Sequence, residues 1–282
     1  FELDAAIIFA DILTPLIGMG IELDFVDGVG PVIHNPIRSP SDIDRLFLPD
    51  VRESVGYTLQ AISEVEAKLS ERRIPLIGFS GAPFTLSKYM IEGGRSSGMS
   101  VKEFMLAYPE PWARLQEKLV DLISSYLINQ LQAGASAVQI FDSWAGELGE
   151  IEYINFSLPY LKEIVGRIKS QREEPIIYFS TGTGAILPII KGIGVDCVSV
   201  DWRIPLKFAR EVLGDGIAIQ GNLDPYVLLS PNGYLEESAL RILGEGSLLP
   251  GYIFNLGHGL LPNTPVESVA KVVSLVRGWN CR

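Results

Sequence analysis

The sequence has little histidine and little cysteine: two of each in 282 residues. Cys197 and Cys281 are too few and too isolated for a disulfide framework or a thiolate metal site, which points to a reducing compartment. Two separated histidines, His34 and His258, likewise cannot supply the clustered His/Cys ligands of a zinc centre, so no metal is expected. Positive charge is also scarce, with 23 basic against 34 acidic residues and a formal net charge of −11. That balance argues against nucleic acid or an anionic membrane surface as the main partner. Long apolar runs are missing, because "AAIIFADILTPLIGMGI" (5–21) is broken by Asp11, Pro15 and glycines. Catalytic signatures are thin as well. "GFSGA" around Ser80 is not the G-x-S-x-G nucleophile elbow, and neither a dinucleotide-binding nor a Walker pattern occurs.

What the chain does have is a rhythm. Short apolar runs recur at 5–11, 74–81, 136–143, 175–181, 196–202, 216–222 and 251–257. Between most of them lie segments of helical periodicity. In "PEPWARLQEKLVDLISSYLINQLQAG" (109–134) apolar residues fall three and four apart, prolines stand at the start and Gly134 follows the end. Strands that are apolar throughout are expected to be buried on both faces, as in a parallel sheet covered by helices. "GASAVQIFDSW" (134–144) and "GVDCVSVDWR" (194–203) repeat one order of glycine, strand and aspartate. The expectation is a single α/β domain over residues 1–282. Seven runs fall one short of a closed (β/α)8 barrel. Either the first strand lies upstream of Phe1, or the sheet is open and doubly wound. Residues 22–50, rich in Pro, Gly and Asp, read as an excursion between two strand–helix units.

Polar and glycine residues cluster where each run ends: Asp11, Gly81-Ala82-Pro83, Asp142-Ser143, Ser180-Thr181-Gly182, Asp201-Trp202-Arg203, Gly221-Asn222 and Gly257-His258-Gly259. Barrels and doubly wound sheets both place their sites at this end of the strands. No such end carries a lysine, which sets Schiff-base chemistry aside. His258, between two glycines, has little to pack against and is expected in the site. Asp11 follows residues that read as buried, so its carboxylate must be paired or poised. Asp201 and Thr181 read equally as helix caps or site groups, Asp142 reads also as structural, and His34 as a loop residue. The glycines of "GTGAILPIIKG" (182–192) could receive a phosphate at a helix start.

At this point a resemblance becomes specific. "LDAAIIFADILTP" (3–15), "PLIGFSGAPFTLSKYMIEGG" (75–94), "FDSWAGEL" (141–148), "IQGNLDP" (219–225) and "NLGHG" (255–259) resemble, in order and through the whole chain, signature segments of the uroporphyrinogen decarboxylase family. The resemblance implies a (β/α)8 TIM barrel, commonly a homodimer, that uses no cofactor. It also implies the stepwise conversion of the four acetate arms of uroporphyrinogen III to methyls, giving coproporphyrinogen III in haem and chlorophyll synthesis. Asp11 matches the aspartate that accepts hydrogen bonds from the pyrrole N–H groups, and Tyr89 matches the tyrosine beside it. Ser143 and His258 match residues that hold substrate carboxylates, while Phe79, Phe141 and the turn at Gly81 look like cavity wall. A cytoplasmic location is expected, with the plastid as the other possibility.

The family's Met-Arg-Gln-Ala-Gly-Arg segment, on the strand before the aspartate, has no counterpart in these residues. Together with the eighth strand it is expected upstream of Phe1. Arg203 and Arg95 remain as candidate pocket cations. Two other readings are a non-catalytic tetrapyrrole-binding barrel and a methyltransferase of the same superfamily. The latter's zinc ligands would need a cysteine near His258, and none is there.

Overall fold

A computed structural model describes residues 1–94 and 99–279. The chain divides into two compact units, Ala5–Ile176 and a second made of Phe1–Asp4 with Ile177–Arg282. The first unit holds β1 (Ala6–Ile7), β2 (Leu23–Val26), β3 (Gly30–Ile33), β4 (Leu76–Gly81) and β5 (Ala137–Asp142). β1 and β5 flank β4, all parallel, with Ala6 opposite Leu76 and Ile77 opposite Ala137. The second unit carries β6 (Ile176–Ser180), β7 (Cys197–Ser199), β8 (Ala218–Leu223) and β9 (Tyr252–Leu256), each parallel to the next. Among the described residues every apolar run thus contains one strand of a parallel ladder, with helices between them.

The helix Pro109–Gln132 shows how the sequence builds this layer. Proline at its first turn gives up an N–H that would be unpaired there anyway. Trp112, Leu115, Leu119, Ile123 and Tyr126 recur three and four apart and are buried. Trp112 is fully buried and donates its indole N–H to the Phe156 carbonyl at 3.1 Å. Truncating it to alanine costs about 3–5 kcal/mol. Past the helix end Gly134 takes φ +112°, a value that a side chain would resist.

Residues 22–50 do form an excursion, and they hold more regular structure than their composition suggests. β2 and β3 make an antiparallel hairpin, with Gly28 and Gly30 at positive φ in and beside its turn. Ser39 then starts the helix Pro40–Asp44 through a capping box with Asp42. His34 lies just after β3, with Nε2 2.8 Å from Asp24.

Burial on both faces holds for the inner strands and fails for β1. β4 through β8 are buried along nearly their whole length. β1 keeps only two residues of the expected run, and Ile7 and Phe9 are 50% and 99% exposed. β9 also alternates between half-buried and exposed positions. Among the described residues each of these two strands has a ladder partner on one side only, β4 and β8 respectively. Apolar sequence cannot distinguish such a strand from an inner one, since exposure depends on how many strands pair with it.

Candidate active site

In the first unit the strand ends make a wall. A cavity of about 250 Å³ is lined by Phe79 on β4, Phe141 and Ser143 at the end of β5, and Ile8, Phe9 and Ile12 after β1. The Phe79 and Phe141 rings meet edge to face, 5.6 Å apart and at 87°. Phe79 is fixed from behind by a residue with no sequence signal. Gln130, buried on the helix Pro109–Gln132, accepts from the Phe79 N–H and donates to the Phe79 carbonyl, both at 2.8 Å. Gly78 leaves room for it, because a Cβ there would stand 2.4 Å from the Gln130 amide oxygen. Gly81 plays a similar part, since its Cβ would lie 2.6 Å from Leu86.

Asp11 is not the buried carboxylate its sequence neighbours suggested. The residue is exposed, and its carboxylate accepts one hydrogen bond, from the Leu13 N–H at 2.8 Å. Partial desolvation raises its pKa above the ordinary aspartate value, and the Leu13 bond opposes this. It stands between Ala10 and Ile12, both of which line the cavity.

Asp142 behaves differently. It is fully buried, and the Thr85 hydroxyl donates to it at 2.7 Å. Thr85 lies on the helix Pro83–Glu92, which starts at Pro83 and closes at Gly93 with φ +84°. Lys88 and Tyr89 follow on the same face, three and four residues on. The Tyr89 ring packs edge on against Trp144 at 6.3 Å, one residue beyond Ser143. Lys88 is only 2% exposed, although in a sequence a lysine reads as solvated surface.

In the second unit His258 follows β9 on a loop held close to its surroundings. A Cβ on Gly257 would stand 2.4 Å from the Trp202 amide nitrogen, so only glycine lets the backbone in. His258 packs edge on to Phe179 and Trp202, at 6.0 and 6.4 Å. Its Nδ1 accepts the Gly259 N–H at 2.7 Å, which puts the proton of the neutral ring on Nε2. Burial and the nearby Arg203 charge lower its pKa, and Asp201 raises it. A ring that stays neutral offers Nε2–H as a donor to an incoming carboxylate.

Asp201 is fully buried and caps no helix; the next one, Leu206–Leu213, begins after Pro205. Its carboxylate accepts from the Gly182 N–H, the Arg203 N–H and the Arg203 guanidinium, at 2.5, 2.8 and 2.7 Å. This bears on two expectations. The Gly182 N–H is committed to Asp201 and so is not open to a phosphate, and the helix beyond, Leu187–Ile190, has only four residues. Arg203 is paired with Asp201 and stacked at 4.1 Å on Trp202, so its charge is already partly compensated. Arg95 lies outside the described residues, as does Cys281. Burial pushes the Cys197 thiol up to about 12, leaving it unreactive. Among the described residues no cluster of His, Cys, Asp or Glu could hold a metal ion, and no helix is long and apolar enough to cross a membrane.

Comparison with known proteins places this geometry. The sequence model of the uroporphyrinogen decarboxylase family matches residues 1–279. A uroporphyrinogen decarboxylase of Roseiflexus sp. (strain RS-1) is 47% identical over 99% of this chain and 82% of its own length. One from Trichlorobacter lovleyi is 44% identical over 97% of this chain and 79% of its own. Among solved structures, a methyltransferase from Methanosarcina mazei superposes with a TM-score of 0.82 at 19% identity, covering 98% of this chain and 80% of its own. That likeness shows the fold alone, a (β/α)8 barrel of which seven parallel strands are present among the described residues. A B12-independent methionine synthase from Shewanella sp. W3-18-1 follows with a TM-score of 0.61 at 10% identity. The chain belongs to the uroporphyrinogen decarboxylase family.

Proposed function

We propose that this chain is a carboxy-lyase that removes carbon dioxide from the four acetate arms of uroporphyrinogen III and leaves methyls, giving coproporphyrinogen III. The observation that carries the reading is the family match over residues 1–279, together with relatives that are 43–47% identical and bear that name. The reaction needs an electron sink. Protonation of a pyrrole carbon makes a cationic ring, the carboxylate C–C bond breaks, and its electron pair flows into that ring. A second proton then converts the exocyclic methylene to methyl, and loss of the first proton restores the pyrrole. The net change is one proton taken up and one carbon dioxide released per arm.

Each residue has a part in this proposal. Asp11 receives the pyrrole N–H groups and its negative charge stabilises the developing cation, an effect worth several kcal/mol when preorganised. Its raised pKa and spare acceptor capacity suit a group that gains partners when substrate arrives. Tyr89 stands with Asp11 at the macrocycle. Ser143 and the Nε2–H of His258 donate to carboxylate arms, while Phe79 and Phe141 give the ring an apolar face. Because all four N–H groups converge on one carboxylate, the macrocycle can turn and present each arm to the same chemistry. The protein is taken to act in the cytoplasm as a homodimer. Carbon dioxide and coproporphyrinogen III are measured from uroporphyrinogen III under anaerobic conditions. Release of four equivalents of gas supports the reading, and tetrapyrrole binding without release replaces it with a non-catalytic binding role.

A further inference from the structure

We propose that Lys88 and Glu147 are positioning residues, which hold the loop after β5 so that Ser143 and Tyr89 face the substrate together. This inference rests on the decarboxylase reading above. Three consecutive features of the loop are each seized from the helix Pro83–Glu92. At its start the Asp142 carboxylate accepts from Thr85 at 2.7 Å. In its middle Trp144 lies under the Lys88 ammonium, 3.9 Å from nitrogen to ring centroid, and against the Tyr89 ring at 6.3 Å. At its end Glu147 receives Lys88 at 2.5 Å. Lys102, from the helix Met99–Ala107, donates to the Glu147 carbonyl at 2.6 Å and ties the same turn down a second time. Ser143 sits between the first and second of these clamps.

The chemistry of the pair argues for position over stability. Lysine is almost never this deeply buried unless paired, and taking the Lys88 charge out of water offsets much of its attraction to the half-buried Glu147. Apolar side chains of similar volume commonly hold a fold as well or better. What they cannot reproduce is directionality: an ammonium that must point at one carboxylate and over one ring fixes both relative to its own helix. Tyr89 is the next residue on that helix, so the register of Lys88 is also the register of Tyr89. Misplacing a substrate-contacting group by about 1 Å is enough to cost on the order of 100-fold in rate.

The test uses the charge-balanced double variant Lys88→Met/Glu147→Leu beside Glu147→Gln, which keeps the size and an acceptor for Lys88. Melting temperature, kcat and KM for carbon dioxide release, and the near-ultraviolet circular dichroism of the tryptophans are measured for both and for the unaltered chain. The double variant is expected to melt within about 3 °C of the unaltered chain while kcat falls 10- to 100-fold. Its tryptophan signal should change, and Glu147→Gln should fall between the two in kcat. If the double variant melts normally and keeps kcat within twofold, the positioning role is overturned. If it fails to fold, Glu147→Gln decides on the same criterion. Should the unaltered chain release no carbon dioxide, the decarboxylase reading is what fails. The circular dichroism then judges the placement claim by itself, and an unchanged signal overturns it.

Discussion

Asp11 and Asp142 both close apolar runs, "IIFAD" and "VQIFD", whose strands pair with β4, although Asp142 is the last residue of β5 and Asp11 comes four residues after β1. Their fates are opposite. Asp142 is fully buried and receives the Thr85 hydroxyl, whereas Asp11 is exposed and takes one backbone N–H. In the second unit Asp201 sides with Asp142, buried and supplied with three donors. A carboxylate whose acceptor sites are filled by the protein holds the fold together. One whose sites are mostly open, in surroundings that disfavour its charge, is available to a cationic or N–H-rich ligand.

The largest effect that sharpens this contrast comes from Asp11→Asn. Carbon dioxide release should fall by about 10²–10³-fold, the scale set by losing one preorganised charged group at a reacting centre. The melting temperature should hold or rise, because Asn keeps an oxygen for the Leu13 N–H and removes a charge that folding disfavours. The sign with pH follows from the raised pKa. Below the ordinary aspartate value the group is protonated folded and unfolded alike, so the variant and the parent melt alike. As pH climbs through the raised pKa, only the parent pays for ionisation, and the variant's advantage grows to a plateau. An advantage that shrinks with rising pH would contradict the assignment. Thermal melts between pH 4 and 8 decide it.

Thr85→Val should do the reverse. It leaves the buried Asp142 carboxylate short of a donor, at a cost of about 1–3 kcal/mol, or roughly 2–10 °C in melting temperature. Activity per folded molecule should fall less than in Asp11→Asn, since no substrate contact is removed. If Thr85→Val costs more turnover than Asp11→Asn without lowering the melting temperature, more than a displaced Ser143 accounts for, Asp142 belongs to the chemistry and the contrast is wrong.

Much of this architecture was legible. The inner strands and the helix Pro109–Gln132 lie where periodicity and punctuation put them, because local pattern and tertiary burial agree there. The split between Asp11 and Asp142 was not legible, since it depends on a threonine 57 positions away in sequence. Gln130 reaching back 51 positions to Phe79, and Lys88 turning inward, were hidden for the same reason. Long-range polar bonds leave no periodic trace. The exposure of Phe9 is the mirror case: an apolar residue in an apolar run, two residues beyond the short β1, left uncovered.

His258→Gln gives a smaller effect and extends the contrast to a neutral donor. Its lowered pKa means that the native state binds fewer protons than the unfolded chain as pH drops toward 6.5 and below, so the histidine weakens folding on the acid side. The variant should therefore melt slightly higher than the parent at pH 5.5 and equally at pH 8. Its KM should rise severalfold with kcat nearly intact, as when binding shared by ground and transition states is lost.

Phe9→Ser should change least. The ring is 99% exposed, so its removal should move stability by no more than about 0.5 kcal/mol, where an equal truncation at the fully buried Phe84 costs about 3–5 kcal/mol. Denaturant midpoints for the two variants measure that difference directly. A large loss at Phe9 would mean that the residue is covered in solution by something that packs on β1. Asp11 would then share that shelter, two residues on, and would move toward Asp142 in kind. The distinction between an open and a filled carboxylate therefore stands or falls with the exposure of its neighbour.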